Sequence, residues 1–416
     1  MMVRDQTSVR IAIACGGTGG HFFPGLAVAE QLASRGCRVT LLTSAKDVDQ
    51  QAVKAVAGME VVALPAVGLK RGGEIAFLRG CTRSYRALLG LFRERPPQAA
   101  LAMGGFTSAP VILAARRTGA RTFLHESNTV PGRANRWLSW VVDCSFVGFP
   151  SAATRLHARK VTVTGTPVRS QFKQREPAVC RAALGLEPGL PVIVVMGGSQ
   201  GASGINEMVI KSLPLLAQDA PEMQWFHLAG PDDAGRVKRA YEALKLKAIV
   251  HPFFAGMDVV LGAATAVVSR AGASSLAELA AMRVPTVLIP YPAATDNHQF
   301  YNAQAYVERG AACLLEQKHA TPEKLAHLIL GLSRSPAARA KMQSALAQWH
   351  TPRAAEEIAK AMLVGFERPE FAEMEPMTGR EPGPSSSPKP ILAGRGDTVD
   401  GGLRRTDVSQ GRVVAA

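Results

Sequence analysis

Two stretches of this chain open in the same way. Residues 11–25 read I-A-I-A-C-G-G-T-G-G-H-F-F-P-G, and residues 192–202 read V-I-V-V-M-G-G-S-Q-G-A. In each, a short apolar run breaks into paired glycines and then into a helical pattern. That is the signature of a buried strand, a tight turn and a helix in a parallel sheet. A glycine-rich turn into a helix exposes backbone N–H groups at the positive end of the helix dipole. It admits a ligand without a Cβ in the way, and phosphate is the ligand such a turn suits best. A tight turn alone needs one or two glycines. Paired glycines on the opening strand of each half favour a bound anion.

The rest of the chain repeats this alternation twice. Strand patterns fall at Val9–Ala14, Arg38–Thr43, Val61–Leu64, Ala99–Met103, Arg121–Leu124 and Cys144–Val147, with a last short one at Lys160–Thr164. Pro24–Ser34 reads as a helix, with proline near its first turn and Gly36 beyond its end. A second series starts at Pro191 and continues through Gln224–Leu228, Ala248–Pro252, Ala266–Ser269 and Thr286–Pro290, and Pro336–Gly365 is helical in pattern. The expectation is an α/β protein of two similar domains facing across a cleft, with one glycine loop on each side. A length of 416 residues suits that division with room for a tail. The predicted boundaries are 8–168, a linker at 169–177, a second domain at 178–366, and a disordered tail at 367–416 rich in Pro, Glu and Ser.

Several common phosphate readings fail. The dinucleotide fingerprint needs a glycine at the sixth position, where Phe22 stands counting from Gly17, and Gln200 interrupts the second loop. The acid expected after the second strand is absent from Thr40–Ser44, and no G-K-[ST] follows either loop. Asp47-Val48-Asp49 has a D-x-D spacing, but its place before a helical pattern fits a first-turn acid better than a metal site. The six cysteines show no metal-ligand spacing and read as reduced thiols of a cytoplasmic protein. The polar N-terminus is not read as a signal peptide, and no apolar run reaches the roughly 18–20 residues of a membrane span.

The net charge of +15 calls for an anionic partner. Nucleic acid is disfavoured, because zinc-finger spacing and RNP-type strands are missing and aromatic residues are only 6%. Much of the charge lies in Lys70, Arg71, Arg79, Arg83, Arg86, Arg93 and Arg95, interleaved with Ile75, Phe77, Leu78, Tyr85, Leu88, Leu89, Leu91 and Phe92. Such a segment can lie on an anionic bilayer, or it can simply pack its apolar stripe on its own domain.

Polar chemistry gathers after the predicted strands: His21, then H-E-S-N at 125–128 with Asn135 beyond, then S-R-A-G-A-S-S-L-A-E at 269–278, then P-Y-P-A-A-T-D-N-H-Q at 290–299. Ligands of open parallel sheets sit beyond the carboxyl ends of strands, where all of these fall. Ser274 or Ser275 is placed to cap the helix that follows.

These motifs resemble the MurG family of bacterial N-acetylglucosaminyltransferases. The matching segments are G-G-T-G-G-H-F-F-P-G-L-A-V-A-E, M-G-G-F-T-S-A-P at 103–110, H-E-S-N, T-G-T-P-V-R, G-G-S-Q-G-A, residues 269–278 and D-N-H-Q-F-Y-N-A, in order over residues 8 to 365. The resemblance implies a GT-B architecture of two Rossmann-like domains, with no cofactor and no obligatory metal. It implies UDP-GlcNAc as donor and undecaprenyl-pyrophosphoryl-MurNAc-pentapeptide as acceptor, converting lipid I to lipid II. It further implies peripheral attachment to the cytoplasmic face of the inner membrane through Lys70–Arg95, and leaves open partners among cell-wall and division proteins.

Carried over by position, the resemblance sets Gly198, Ser199 and Gln200 against the UDP diphosphate with Arg169 nearby. Ala273, Ser274, Ser275, Leu276, Ala277 and Glu278 line the donor, Glu278 accepting from the ribose, while the backbone at Phe254 reads the uracil. Gln299 with His298 contacts the sugar; some relatives carry Gln in place of His298, which favours Gln299. Thr18, Gly19, Gly20 and Asn128 approach the GlcNAc, and Gly16, Gly17, Gly104, Gly105 and Asn135 belong to the acceptor side. The implied reaction is an inverting displacement that needs a general base, for which His21 is the first choice and His125 with Glu126 the competing one. Other enzymes on this scaffold, such as a UDP-GlcNAc 2-epimerase or another glycolipid transferase, stay open, as does a non-catalytic lipid-phosphate-binding protein.

Overall fold

A computed structural model of the chain describes residues 8–17, 19–44, 59–65, 68, 73–198 and 201–366. The acidic pair at 47–49, Lys70, Arg71, Thr18, Ser199, Gln200 and the tail expected at 367–416 lie outside the described residues.

The first sheet contains β1 (Arg10–Ala14), β2 (Arg38–Ser44), β3 (Glu60–Leu64), β4 (Ala99–Ala102), β5 (Arg121–Glu126), β6 (Cys144–Val147) and β7 (Lys160–Val163). Its order is β3-β2-β1-β4-β5-β6-β7, and the neighbours pair in parallel. The second contains β8 (Val192–Met196), β9 (Gln224–Leu228), β10 (Ala248–His251), β11 (Ala266–Ser269), β12 (Thr286–Leu288) and β13 (Cys313–Leu314), ordered β10-β9-β8-β11-β12-β13, also parallel. The two Rossmann-like sheets expected from the strand patterns are present. The Cys313–Leu314 strand was not foreseen, being too short for any alternation to register.

Between strands run α1 (Gly19–Ala33), α2 (Glu74–Glu94), α3 (Ser108–Arg117), α4 (Arg133–Leu138), α5 (Pro150–Ala153) and α6 (Pro177–Ala183) in the first part. The second part holds α7 (Ser203–Asp219), α8 (Ala234–Ala243), α9 (Met257–Ala263), α10 (Ala273–Met282), α11 (His298–Val307), α12 (Pro322–Arg334), α13 (Pro336–Trp349) and α14 (Ala354–Leu363).

The strands read as continuous apolar runs because both faces of each sheet are covered. Side chains alternate between faces, so Ile11 and Ile13 of β1 meet α1 and α14, while Ala12 and Ala14 meet α2, α3 and α4. Small residues dominate that second face, where Ala100 and Ala102 of β4 lie under Ala114 and Ala115 of α3. In the second sheet, Ile193 and Val195 pack on α7, and Val192 and Val194 on α9.

Three local expectations change. The helix after the first loop begins at Gly19 rather than Pro24, so Gly19, Gly20 and His21 are already helical. β5 runs through Glu126, which makes His125 and Glu126 strand residues rather than loop residues. The last helix, assigned by sequence to the second domain, belongs to the core of the first: Ile358, Ala359 and Met362 of α14 lie with Ile11, Phe22 and Val28. An amphipathic pattern fixes that a helix has a buried face, not which sheet receives it.

The chain therefore crosses between the halves twice, and the crossings touch. A Cβ on Gly165 (φ +81°) would lie 2.0 Å from Thr351 Oγ1, so only glycine fits. Because Ile358 is fully buried in the first core, I358A is expected to lower the unfolding free energy by about 1–4 kcal/mol. Denaturant titration checks this, with K360A, on the exposed side of α14, expected within about 0.5 kcal/mol of the parent.

Candidate functional site between the two sheets

The strand order of each sheet reverses once in the middle, between β1 and β4 and between β8 and β11. In open parallel sheets these switch points make the binding crevice. The described residues that leave them are 15–17, 103–107, 197–198 and 270–272.

On the first sheet the loops meet through backbone. A Cβ on Gly16 would come within 2.6 Å of Ser44 N, so the chain passes there only as glycine. Gly104 and Gly105 hold φ of +109° and +77°, and Cβ atoms there would lie 2.9 Å from His21 Nε2 and 3.2 Å from His21 Nδ1. The half-buried imidazole of His21 thus rests against the Gly104-Gly105 turn, at the mouth of the first switch point.

His125 and Glu126 lie behind it. His125 is fully buried; its Nε2–H donates to Gly165 O at 3.0 Å, and Nδ1 accepts from Ser127 Oγ at 3.2 Å. Burial, with His21 adding to it, holds this imidazole down to about 4, and the bond to Gly165 only partly offsets that. Glu126 accepts four hydrogen bonds: Asn128 N at 2.8 Å, Asn128 Nδ2 at 3.0 Å, Gly132 N at 3.0 Å and Asn135 Nδ2 at 2.8 Å. Burial still pushes this carboxyl above its usual range. Both groups, considered above as an alternative base, bond to the segment that follows β5, and Asn135 is buried, its Nδ2 donating to Glu126 and His125 O while its Oδ1 has no hydrogen-bond partner among the described residues.

Among the described residues, four side-chain contacts between the halves bear on the cleft, while Phe149 crosses elsewhere to pack on Tyr306 and Trp349. Asn302, on α11 and fully buried, accepts from Thr129 N and Oγ1 at 2.9 and 3.0 Å and donates to Asn128 Oδ1 at 3.0 Å and Ala271 O at 3.2 Å. Sequence reasoning missed Asn302, although its place inside an otherwise buried helix face with Ala303 and Tyr306 was a signal. Arg136 pairs with Asp296 at 2.7 Å.

Ser274 does not cap α10, whose N-cap is Gly272; its hydroxyl donates instead to Gly20 O at 2.8 Å. That carbonyl is available because its normal helical partner four residues on is Pro24, which has no N–H. The fourth crossing is Arg169, whose guanidinium carbon sits 4.1 Å from the centre of the Phe23 ring on α1.

Arg169 and Glu278 form an ion pair at 3.5 Å, with side chains 12% and 16% exposed. Arg169 was expected beside the diphosphate and Glu278 beside the ribose; here each occupies the other. Burial pushes the Glu278 carboxyl up to about 7, against the pull of Arg169, and the buried Arg169 Nε has no partner. Around them, α7 and α10 start without side-chain caps, and helix N-termini of that kind favour an anion. Among the described residues, no heavy atom lies within 4 Å of a Cβ built on Gly198 (φ +94°).

Gln299 Oε1 accepts from Tyr291 N at 3.0 Å, and His298 Nδ1–H donates to Thr295 O at 2.8 Å. Phe254 packs edge-on to Phe226. Arg270, which sequence reasoning also passed over, binds Ile289 O, Pro290 O and Gln317 Oε1 and ties the loop after β12 to the second switch point.

Residues 11–147 match the glycosyltransferase family 28 N-terminal domain, and residues 192–358 the glycosyltransferase family 28 C-terminal domain. The UDP-N-acetylglucosamine–N-acetylmuramyl-(pentapeptide) pyrophosphoryl-undecaprenol N-acetylglucosamine transferase of Anaeromyxobacter dehalogenans (strain 2CP-C) is 35% identical over 360 residues, 85% of this chain and 92% of that protein. The protein of the same name from Desulforudis audaxviator (strain MP104C) is 36% identical over 362 residues, 84% of this chain and 96% of that one. The crystal structure of Acinetobacter baumannii MurG superposes with a TM-score of 0.67 at 26% identity, covering 86% of this chain and all (100%) of that one. CalG4, the calicheamicin glycosyltransferase, shares the fold at 19% identity and a TM-score of 0.59, over 86% and 99% of the two chains. Two Rossmann-like sheets with a cleft at their switch points make a GT-B enzyme, and the chain belongs to glycosyltransferase family 28, among the N-acetylglucosaminyltransferases known as MurG.

Proposed function

We propose that the chain transfers GlcNAc from UDP-GlcNAc to the 4-hydroxyl of MurNAc in undecaprenyl-pyrophosphoryl-MurNAc-pentapeptide, the step from lipid I to lipid II, with inversion at the anomeric carbon. The observation that carries this is the pairing of two glycine-lined switch points across one cleft, one with a histidine and one with an arginine–carboxylate pair. The relatives that match nearly end to end bear the transferase name, which favours this reaction over epimerisation on the same scaffold.

In the first step the donor diphosphate takes the N–H groups at the starts of α7 and α10 and the edge of Arg169. Glu278 is then released to accept from the ribose hydroxyls. His21, resting on the Gly104-Gly105 turn, takes the proton from the MurNAc 4-hydroxyl as its oxygen attacks the anomeric carbon and the bond to UDP breaks. The charge that develops on UDP is met by donors already in place. His125 and Glu126 stay out of the chemistry, with Glu126 holding Asn128 and His125 bonded to Gly165 and Ser127.

The acceptor's lipid calls for a membrane-facing surface. Helices α2, α3 and α4 cover one face of the first sheet. Along α2 the C-terminal part buries Leu88 and Phe92 in its own domain, while Ile75 (67% exposed) and Leu78 (61% exposed) near its start face outward. On and beside α4, Trp137 (52%) and Trp140 (67%) do the same. Arg79, Arg83 and Arg86 are exposed on α2, Arg116 and Arg117 on α3, and Arg133 on α4. Exposed indoles and arginines suit the interface of an anionic bilayer, and no helix among the described residues is long and apolar enough to cross one.

Purified protein given UDP-GlcNAc and a short-chain lipid I analogue should release UDP in step with a disaccharide-lipid product. UDP-GlcNAc consumed without acceptor would instead indicate an epimerase. H21A should lower kcat by about 100-fold or more with little change in the KM for UDP-GlcNAc; near-normal turnover would remove His21 as the base. With Glu278 titrating near 7, its acceptor carboxylate is lost as pH falls. The KM for UDP-GlcNAc should therefore rise below pH 7, approaching about tenfold per pH unit, and stay flat above it, and E278Q should abolish the dependence. R79A/R83A should weaken partition onto phosphatidylglycerol-containing vesicles by about tenfold or more, since each basic residue contributes about 1 kcal/mol there, while turnover of the short-chain analogue is kept.

A further inference from the structure

Arg169 is held in an unusual way for a residue with five donors. Among the described residues its one ion-pair contact is the 3.5 Å approach to Glu278, and its buried Nε has no hydrogen-bond partner. Its position is set by rings instead: the guanidinium carbon lies 4.1 Å from the Phe23 centroid and 4.9 Å from that of Phe172. Stacking occupies the faces of a guanidinium and leaves its N–H edge free for a planar or tetrahedral anion. Phe172 is on the same segment as Arg169 and moves with it. Phe23 is on α1, in the other half. Phe22 packs edge-on at 5.6 Å and 81°, and the absent side chain of Gly19 leaves the ring beside the glycine loop. Glu30, also on α1, lies within electrostatic reach of the same guanidinium.

We infer that Phe23 is a positioning residue for the donor: its ring holds Arg169 where Glu278 and the nucleotide diphosphate compete for it, so donor affinity depends on α1 of the opposite half. The inference rests on the transferase reading for the identity of the donor. When the diphosphate arrives, it takes the guanidinium edge while Phe23 keeps the face, and Arg169 need not move. If the halves part, Arg169 loses Phe23 and nucleotide binding weakens.

The test uses the full chain, with UDP as the probe in calorimetry and UDP-GlcNAc with the lipid I analogue in turnover. F23L keeps an apolar group but removes the ring quadrupole. It should weaken UDP binding and raise the KM for UDP-GlcNAc by about three- to thirty-fold, with kcat and the acceptor KM little changed. F23Y retains a face and should bind UDP within about twofold of the parent. In an R169K background, which loses the planar fork, F23L should have no further effect on UDP binding.

UDP binding by F23L equal to the parent, or an F23L loss undiminished in R169K, would overturn the inference. A parent chain that binds UDP but transfers no sugar would sink the transferase reading, and the binding cycle would still decide the role of Phe23. A parent that binds no UDP would sink both.

Discussion

One buried amide does most to define the cleft. Asn302 spends both ends of its side chain, on Thr129 and Asn128 of the first half and on Ala271 of the second, with no exposure to solvent. An unpaired polar group in such a place costs about 1–3 kcal/mol, so the partners tolerate little drift. The loop it grips is in turn fixed from behind by Glu126, through four donors. Asn128, the residue both anchors share, is thereby presented to the crevice with little conformational freedom left.

The Arg169–Glu278 pair follows the opposite logic. Glu278 and Arg169 are buried yet under-satisfied: one long contact, a carboxyl near 7 and an idle Nε. Charges taken out of water without full compensation are costly, and a ligand that supplies hydroxyls to one and phosphate oxygens to the other recovers that cost. Glu126 is met by four donors, whereas the Arg169–Glu278 pair is left short of partners. His21 sits between, against the Gly104-Gly105 turn.

The fold was largely legible in the sequence, for a physical reason. Strands covered on both faces appear as unbroken apolar runs, and Val192–Met196 is buried at every position. The site was less so. The sequence placed His125 and Glu126 in a loop because polar residues inside a strand are unexpected; the structure makes them the buried end of β5. Ser274 carried the chemistry of a cap but is used across the cleft. α14 carried the pattern of a packed helix, yet no local signal could say that it returns to the first sheet. Asn302 and Arg169 act through partners more than a hundred positions away, which periodicity cannot see.

Pro24 has one more consequence. A helix normally consumes its own carbonyls, but α1 is left with an unclaimed one at Gly20, and Ser274 claims it from the other half. The contact is made by a fixed backbone oxygen and a hydroxyl that needs only to rotate. When the halves separate, water replaces the hydroxyl at little net cost, because an exposed hydrogen bond is exchanged for another of similar strength. The junction therefore behaves as a snap rather than a weld: it sets where the cleft closes without opposing its opening. A glycosyltransferase whose cleft lies between two such halves is suited by a fastening of that kind.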